Sequence, residues 1–228
     1  MNDAAGVLAM LALGDSGLPI GRFVHSHGLE AWLAAHEGAD TSVIAELVEV
    51  VVTEAVAPLD GALLARSHRA DSIEELVELD ARLTMRKLTT SARTASQTCG
   101  RSLATLALAL APQDELVARL GRLVAARETD GNIAVVEGTL ARALGVSERG
   151  AVLGALRAAA AGLFSAAVRL GGLSPSAAQV QLLALTPALA LACESAVSRE
   201  WEDIHTTAPQ IEIYAMRHSR ARARLFAT

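Results

Sequence analysis

The chain has 228 residues, 52% of them hydrophobic, which is enough for one large domain or two small ones with a full core. Aromatic residues make up only 3%, so the core must be built from Leu, Val and Ala, a composition that favours helices over sheet. A formal charge of −5 argues against a protein that holds nucleic acid by neutralising phosphates, and two isolated cysteines, Cys99 and Cys193, with no CxxC pair, suit a reducing cytoplasm.

The first 17 residues carry an apolar run but no basic leader, so no signal peptide is expected. Ala4 to Leu13 predicts a short helix ended by Gly14 and an Asp15-Ser16-Gly17 turn. Pro19 and Gly21 keep the next residues irregular. A helix is expected from about Ser26 through Leu29, Trp32 and Leu33 to Gly38. Ser42 is placed to cap a helix carrying Ile44, Leu47, Val48, Val51 and Val52, which should stop before Pro58. Asp60 can cap the next, through Leu63, Leu64 and His68. Ser72-Ile73-Glu74-Glu75 reads as a capping box opening a long helix with Leu76, Leu79, Leu83 and Leu88 on one face. Thr89 to Ser102, TTSARTASQTCGRS, is rich in small polar residues and has only Gly100 to break it. It predicts an interior helix that lets a neighbouring backbone come close.

Pro112 starts a helix through Leu116, Leu120 and Val124, and Asp130-Gly131-Asn132 forms a turn. Ile133 to Leu144 is helical and closed by Gly145. Ser147 caps a helix carrying Val152, Leu156, Leu163 and Val168 that ends at Gly171-Gly172. Ser174 with Pro175 opens another, running to about Val197 with a kink at Pro187. A polar loop from Glu202 to Pro209 leads to a last helix from Gln210. The uncharged run between Arg169 and Glu194 is broken by glycines, prolines and polar residues, so it predicts buried helix and no membrane span. No stretch alternates with period two. The fold expected is therefore all-α, a single globular domain of about ten helices over residues 1–228.

Two features invite a functional reading. His25 and His27, with Glu30 one helical turn further on, offer two imidazoles and a carboxylate to a divalent metal. The structural reading is preferred, because no third histidine stands at ligand spacing. Ser26 then caps the helix and Gly28 permits a tight crossing. The second feature is the tail, where Arg217, His218, Arg220, Arg222 and Arg224 precede Leu225 and Phe226. An arginine-rich tip carrying an aromatic is an interface anchor type, so protein docking is favoured over membrane or RNA. Leu140 to Leu156 mimics a helix-turn-helix, but its second helix offers mostly Gly, Ala, Val and Leu to a DNA groove, so nucleic acid is not expected. No nucleophile elbow, phosphate loop, dinucleotide fingerprint or HExxH stands in the chain, so neither catalysis nor a bound cofactor is expected.

Three ordered blocks resemble the UreF family of urease accessory proteins. The first holds Asp15-Ser16, Leu18-Pro19, Gly21 and His25-Ser26 through Gly28-Leu29-Glu30. The second holds Leu79-Asp80-Ala81, Ala95-Ser96, Gly100-Arg101-Ser102-Leu103, Val135-Val136 and Gly138. The third holds Ala215-Met216-Arg217-His218 and Arg224-Leu225-Phe226. The chain departs from the pattern at Asn132, where a histidine is common, at Arg222, where an aromatic is usual, and at Thr228, which replaces a final serine. The resemblance implies a non-enzymatic, cytoplasmic scaffold for nickel insertion into urease. It would join the accessory protein UreD (or UreH), recruit the nickel-carrying GTPase UreG to apo-urease, and form a homodimer. It further implies that Arg217, His218, Arg224, Leu225 and Phe226, in the segment 210–228, meet UreD or UreH. The first block (Ser16, Pro19, Gly21, His25, Ser26, Gly28 and Glu30) would shape a surface shared with the GTPase or a path for nickel.

Overall fold

A computed structural model describes residues 3–218 and 225–227, and the described residues are helical with no strand. α1 (Asp3–Leu13) leads through a 3-10 turn (Arg22–Val24) to α2 (Leu29–Ala35). α3 (Thr41–Val50), a π-helical stretch (Val51–Gly61) and α4 (Ala62–Arg69) follow without interruption. Then come α5 (Ile73–Arg86), α6 (Thr90–Leu110), α7 (Glu115–Ala126), α8 (Ile133–Ala143), α9 (Glu148–Arg169), α10 (Pro175–Ala184), α11 (Thr186–Ser198) and α12 (Pro209–His218). The chain is thus a single all-α domain.

α9 is the axis of the core. It packs against α1, α4, α8, α10, α11 and the π-helical stretch, burying Val152, Leu156, Leu163 and Phe164. It is the one described helix long and apolar enough to cross a membrane, but more than half of its apolar window is buried inside the protein. Its burial also removes the helix-turn-helix reading. Leu140, Ala141, Val152 and Leu156 face the interior, and Arg149 is paired with Glu194 across to α11.

Three of the expected caps form. The hydroxyls of Ser72, Ser147 and Ser174 each accept the backbone N–H three residues on. The small-residue stretch forms the interior helix expected of it. Gly100 lies so close to the α7–α8 loop that a Cβ there would stand 2.0 Å from the Gly131 carbonyl oxygen. Gly138 does the same where α8 crosses α4, with the Leu64 carbonyl 2.4 Å from a Cβ position.

Six local expectations are corrected. Gly28, not Ser26, is the residue that precedes α2, which starts at Leu29. Asp40, not Ser42, precedes α3. Pro58 does not stop the helix: it sits inside the π-helical stretch, whose wider turns give room to a ring that lacks an N–H. Asp60 is therefore no cap, since the helix is already running past it. Leu88 leaves the α5 face because the Thr89 hydroxyl accepts the Ala92 N–H and starts a new helix there. Likewise Pro112 lies in a turn, and Asp114 caps α7 through the Val117 N–H at 2.9 Å. The expected kink appears as a 50° bend between α10 and α11, with Pro187 in the first turn of α11.

Candidate functional site

The first and third sequence blocks meet. Gly28 has φ +90°, and a Cβ on it would lie 2.7 Å from the Ile211 carbonyl oxygen and 2.8 Å from the Ala215 nitrogen. That absence of a side chain lets α2 lie directly on the α12 backbone. The seam continues in rings: His36 stacks on Trp32 at 4.3 Å and meets the edge of Tyr214 at 5.8 Å. α12 is brought there by the loop before it. Trp201 is held between the guanidinium groups of Arg66 and Arg82, 4.4 and 4.5 Å from its ring, and Thr207 N–H bonds to the Glu54 carbonyl.

Glu30 is the centre of this junction. Its Oε2 accepts from His218 Nε2 at 2.7 Å and from the Phe226 N–H at 3.2 Å, while Oε1 accepts the Leu225 N–H at 2.8 Å. Burial alone would raise its pKa. The hydrogen bonds from Leu225, His218 and Phe226, with the charge of His218, outweigh that and hold the carboxyl below its usual range. The tip is pinned twice more. Ala227 N–H bonds to the Val24 carbonyl at 3.0 Å, and the Arg169 guanidinium covers the Phe226 ring at 4.3 Å while donating to the Phe23 carbonyl.

The tail residues therefore divide. His218 and Phe226 are buried in their own chain, Arg217 is exposed beside Tyr214, and Leu225 is 77% exposed. Arg224, Arg222 and Thr228 lie outside the described residues. Of the first block, His25, Ser26 and Gly28 are buried, Ser16 and Pro19 are exposed, and Gly21 takes the left-handed conformation that starts the Arg22–Val24 turn.

Behind the junction lies a cavity of about 210 Å³, walled by the first block, the π-helical stretch, α6, α8, α9 and α12. Its walls are largely apolar but hold two ion pairs. Arg22 meets the buried Glu137 at 2.6 Å, and Lys87 meets Asp60 at 2.8 Å. Burial pushes the Glu137 carboxyl up, and Arg22 opposes this. His27 lines the cavity and is exposed as a residue, yet protein surrounds its ring. Desolvation, followed by the charges of His25 and Lys87 and against that of Asp60, lowers it to about 4. His25 is lowered by burial as well, so both imidazoles are neutral at pH 7. Cys99 lines the same space with its thiol pushed up by burial, the opposite of what a nucleophile needs. Among the described residues, no group of three or more His, Cys, Asp or Glu side chains is arranged to hold a metal.

The central block is a buried hub. The Asp80 carboxylate is fully buried and accepts from Thr129 Oγ1 at 2.5 Å, Gly131 N–H at 2.7 Å, and both Asn132 N–H and Asn132 Nδ2 at 2.8 Å. Asn132 thus ties α5 to the start of α8. The UreF profile matches residues 39–186, a span that includes this hub and well over half of the chain. The chain belongs to the UreF family. It is 31% identical to the urease accessory protein UreF of Corynebacterium efficiens, over 96% of this chain and 95% of that protein. It is 33% identical to UreF of Kocuria rhizophila over 97% of each. With UreF of Trichodesmium erythraeum it shares 30% identity over 99% of this chain and 98% of that one. These full-length similarities take in the first and third blocks, which the profile match leaves out.

Sequence reading missed the two cavity ion pairs and Arg169. Arg22 and Glu137 are 115 residues apart, and no local pattern marks one for the other.

Proposed function

We propose that this chain is a urease maturation factor, a non-catalytic scaffold for nickel insertion. It joins UreD (or UreH), recruits the GTPase UreG, and brings both to apo-urease in the cytoplasm. Nickel is the cargo of that complex and not a resident cofactor of this chain. The observation that carries the reading is similarity over nearly the whole length to urease accessory proteins. The C-terminal segment 210–228 is the docking element for UreD or UreH. Its support is physical: a tip whose backbone is bonded inward while Leu225 points out offers a fixed apolar contact with Arg217 nearby in sequence.

A homodimer is part of the same proposal. α10 and α11 carry no charge between Arg169 and Glu194, and Val180, Leu183 and Leu191 are all well exposed there. An uncharged apolar face suits a second copy related by a two-fold axis. The test is capture of purified UreD/UreH and UreG by the full chain and by a chain lacking residues 215–228. Capture by the full chain alone is expected. Equal capture by a folded truncation contradicts the docking role of the tail.

A further inference from the structure

Glu30 belongs to α2, yet among the described residues its three hydrogen-bond donors, His218, Leu225 and Phe226, all come from the C-terminal segment. One carboxylate thus holds both His218, at the end of α12, and the Leu225–Phe226 tip. The Glu30 side chain is only 15% exposed and points at the tail, so it has little surface to offer a partner. Leu225, whose N–H it holds, turns its side chain outward.

We infer that Glu30 is the positioning residue for tail docking: by binding His218 and the Leu225 and Phe226 amides, it fixes the one tail conformation that presents Leu225 to the accessory partner. This rests on the docking role proposed above for the segment 210–228. A fixed tail loses less conformational freedom on association, and apparent affinity scales with the fraction of molecules already in the competent form. A glutamine cannot replace the carboxylate. It has one carbonyl oxygen for three donors, and its NH2 must face another donor. If Glu30→Gln leaves about one molecule in ten with the tail seated, the partner's Kd rises about tenfold.

The experiment is a double-mutant cycle read by titration with purified UreD/UreH, using the full chain, Glu30→Gln, a chain lacking residues 225–228, and the combination. Hydrogen exchange of the Leu225 to Ala227 amides is measured alongside. The expected result is about a tenfold loss for Glu30→Gln, faster exchange at the tip, and no further loss when Glu30→Gln is added to the deletion. Losses that simply multiply, or an unchanged Kd with unchanged exchange, overturn the inference while leaving tail docking standing. No capture by the full wild-type chain overturns the docking reading, and the inference falls with it. Should Glu30→Gln fail to fold, Arg169→Met loosens the same tip from its other side and must show the same non-additive loss with the deletion.

Discussion

Replacing Gly28 by alanine should pry α2 from α12. Two separate costs apply. An L residue with a side chain at φ +90° is strained by about 1–2 kcal/mol. The new Cβ would also stand 2.7 to 3.1 Å from the Ile211 carbonyl oxygen and the Ala215 nitrogen and Cα. These are backbone atoms, so no side-chain rotation relieves the overlap and α12 itself must move. Overpacking of this kind costs about 1–3 kcal/mol more. The sum, about 2–5 kcal/mol, corresponds to a fall in urea midpoint of about 1 M at a slope of about 3 kcal/mol/M. Gly38→Ala is the matched control. Gly38 has φ +78°, but nothing lies within 4 Å of its Cβ position, so only the backbone strain remains. Urea melts of both variants, followed by limited proteolysis of the C-terminal segment, separate the two contributions. Equal midpoints for the two variants, with an unaltered cleavage rate at the tail, would refute the claim that α2 seats the tail through this glycine.

Four further outcomes are expected. Asp80→Ala strands the buried Gly131 and Asn132 donors and should destabilise by about 3–5 kcal/mol, measured by chemical denaturation. Arg22→Met leaves Glu137 buried without its cation. A raised carboxyl pKa gives stability that is whole at low pH and lost as pH rises through it, so the variant's deficit, about 3 kcal/mol at pH 7.5, should shrink at pH 5. His27 has the opposite sign. Its folded pKa of about 4 lies below that of an unfolded imidazole, near 6.5, so stability is complete above 6.5 and drains as pH falls toward 4. Because the residue keeps accessible surface, the loss is discounted to about 1 kcal/mol, and His27→Gln should flatten that limb of a stability–pH curve. Leu183→Glu with Leu191→Glu should yield a monomer by light scattering while the thermal midpoint stays within about 2 °C.

Helix type and most boundaries were legible because capping is local. Ser72, Ser147 and Ser174 announce their helices within four residues. Pro58 was misleading because the sequence shows a missing N–H but not the wider π turn that absorbs it. The α2–α12 junction was half legible. Gly28, Glu30, His218 and Phe226 could be singled out as blocks, but their joining depends on a contact across 188 residues, from Glu30 to His218. The packing of the tip was not legible for the same reason. Phe226 looks like an exposed anchor in the sequence, whereas Arg169, from the far end of α9, folds over it and leaves Leu225 as the outward side chain. The cavity ion pairs left no local trace at all.

A role in urease maturation is tested most directly by the nickel content and activity of urease purified from cells lacking this chain. The expected result is urease protein at normal abundance but with little nickel and little activity, restored by the full chain and not by one lacking residues 215–228. Fully nickel-loaded, active urease from cells without the chain would contradict it.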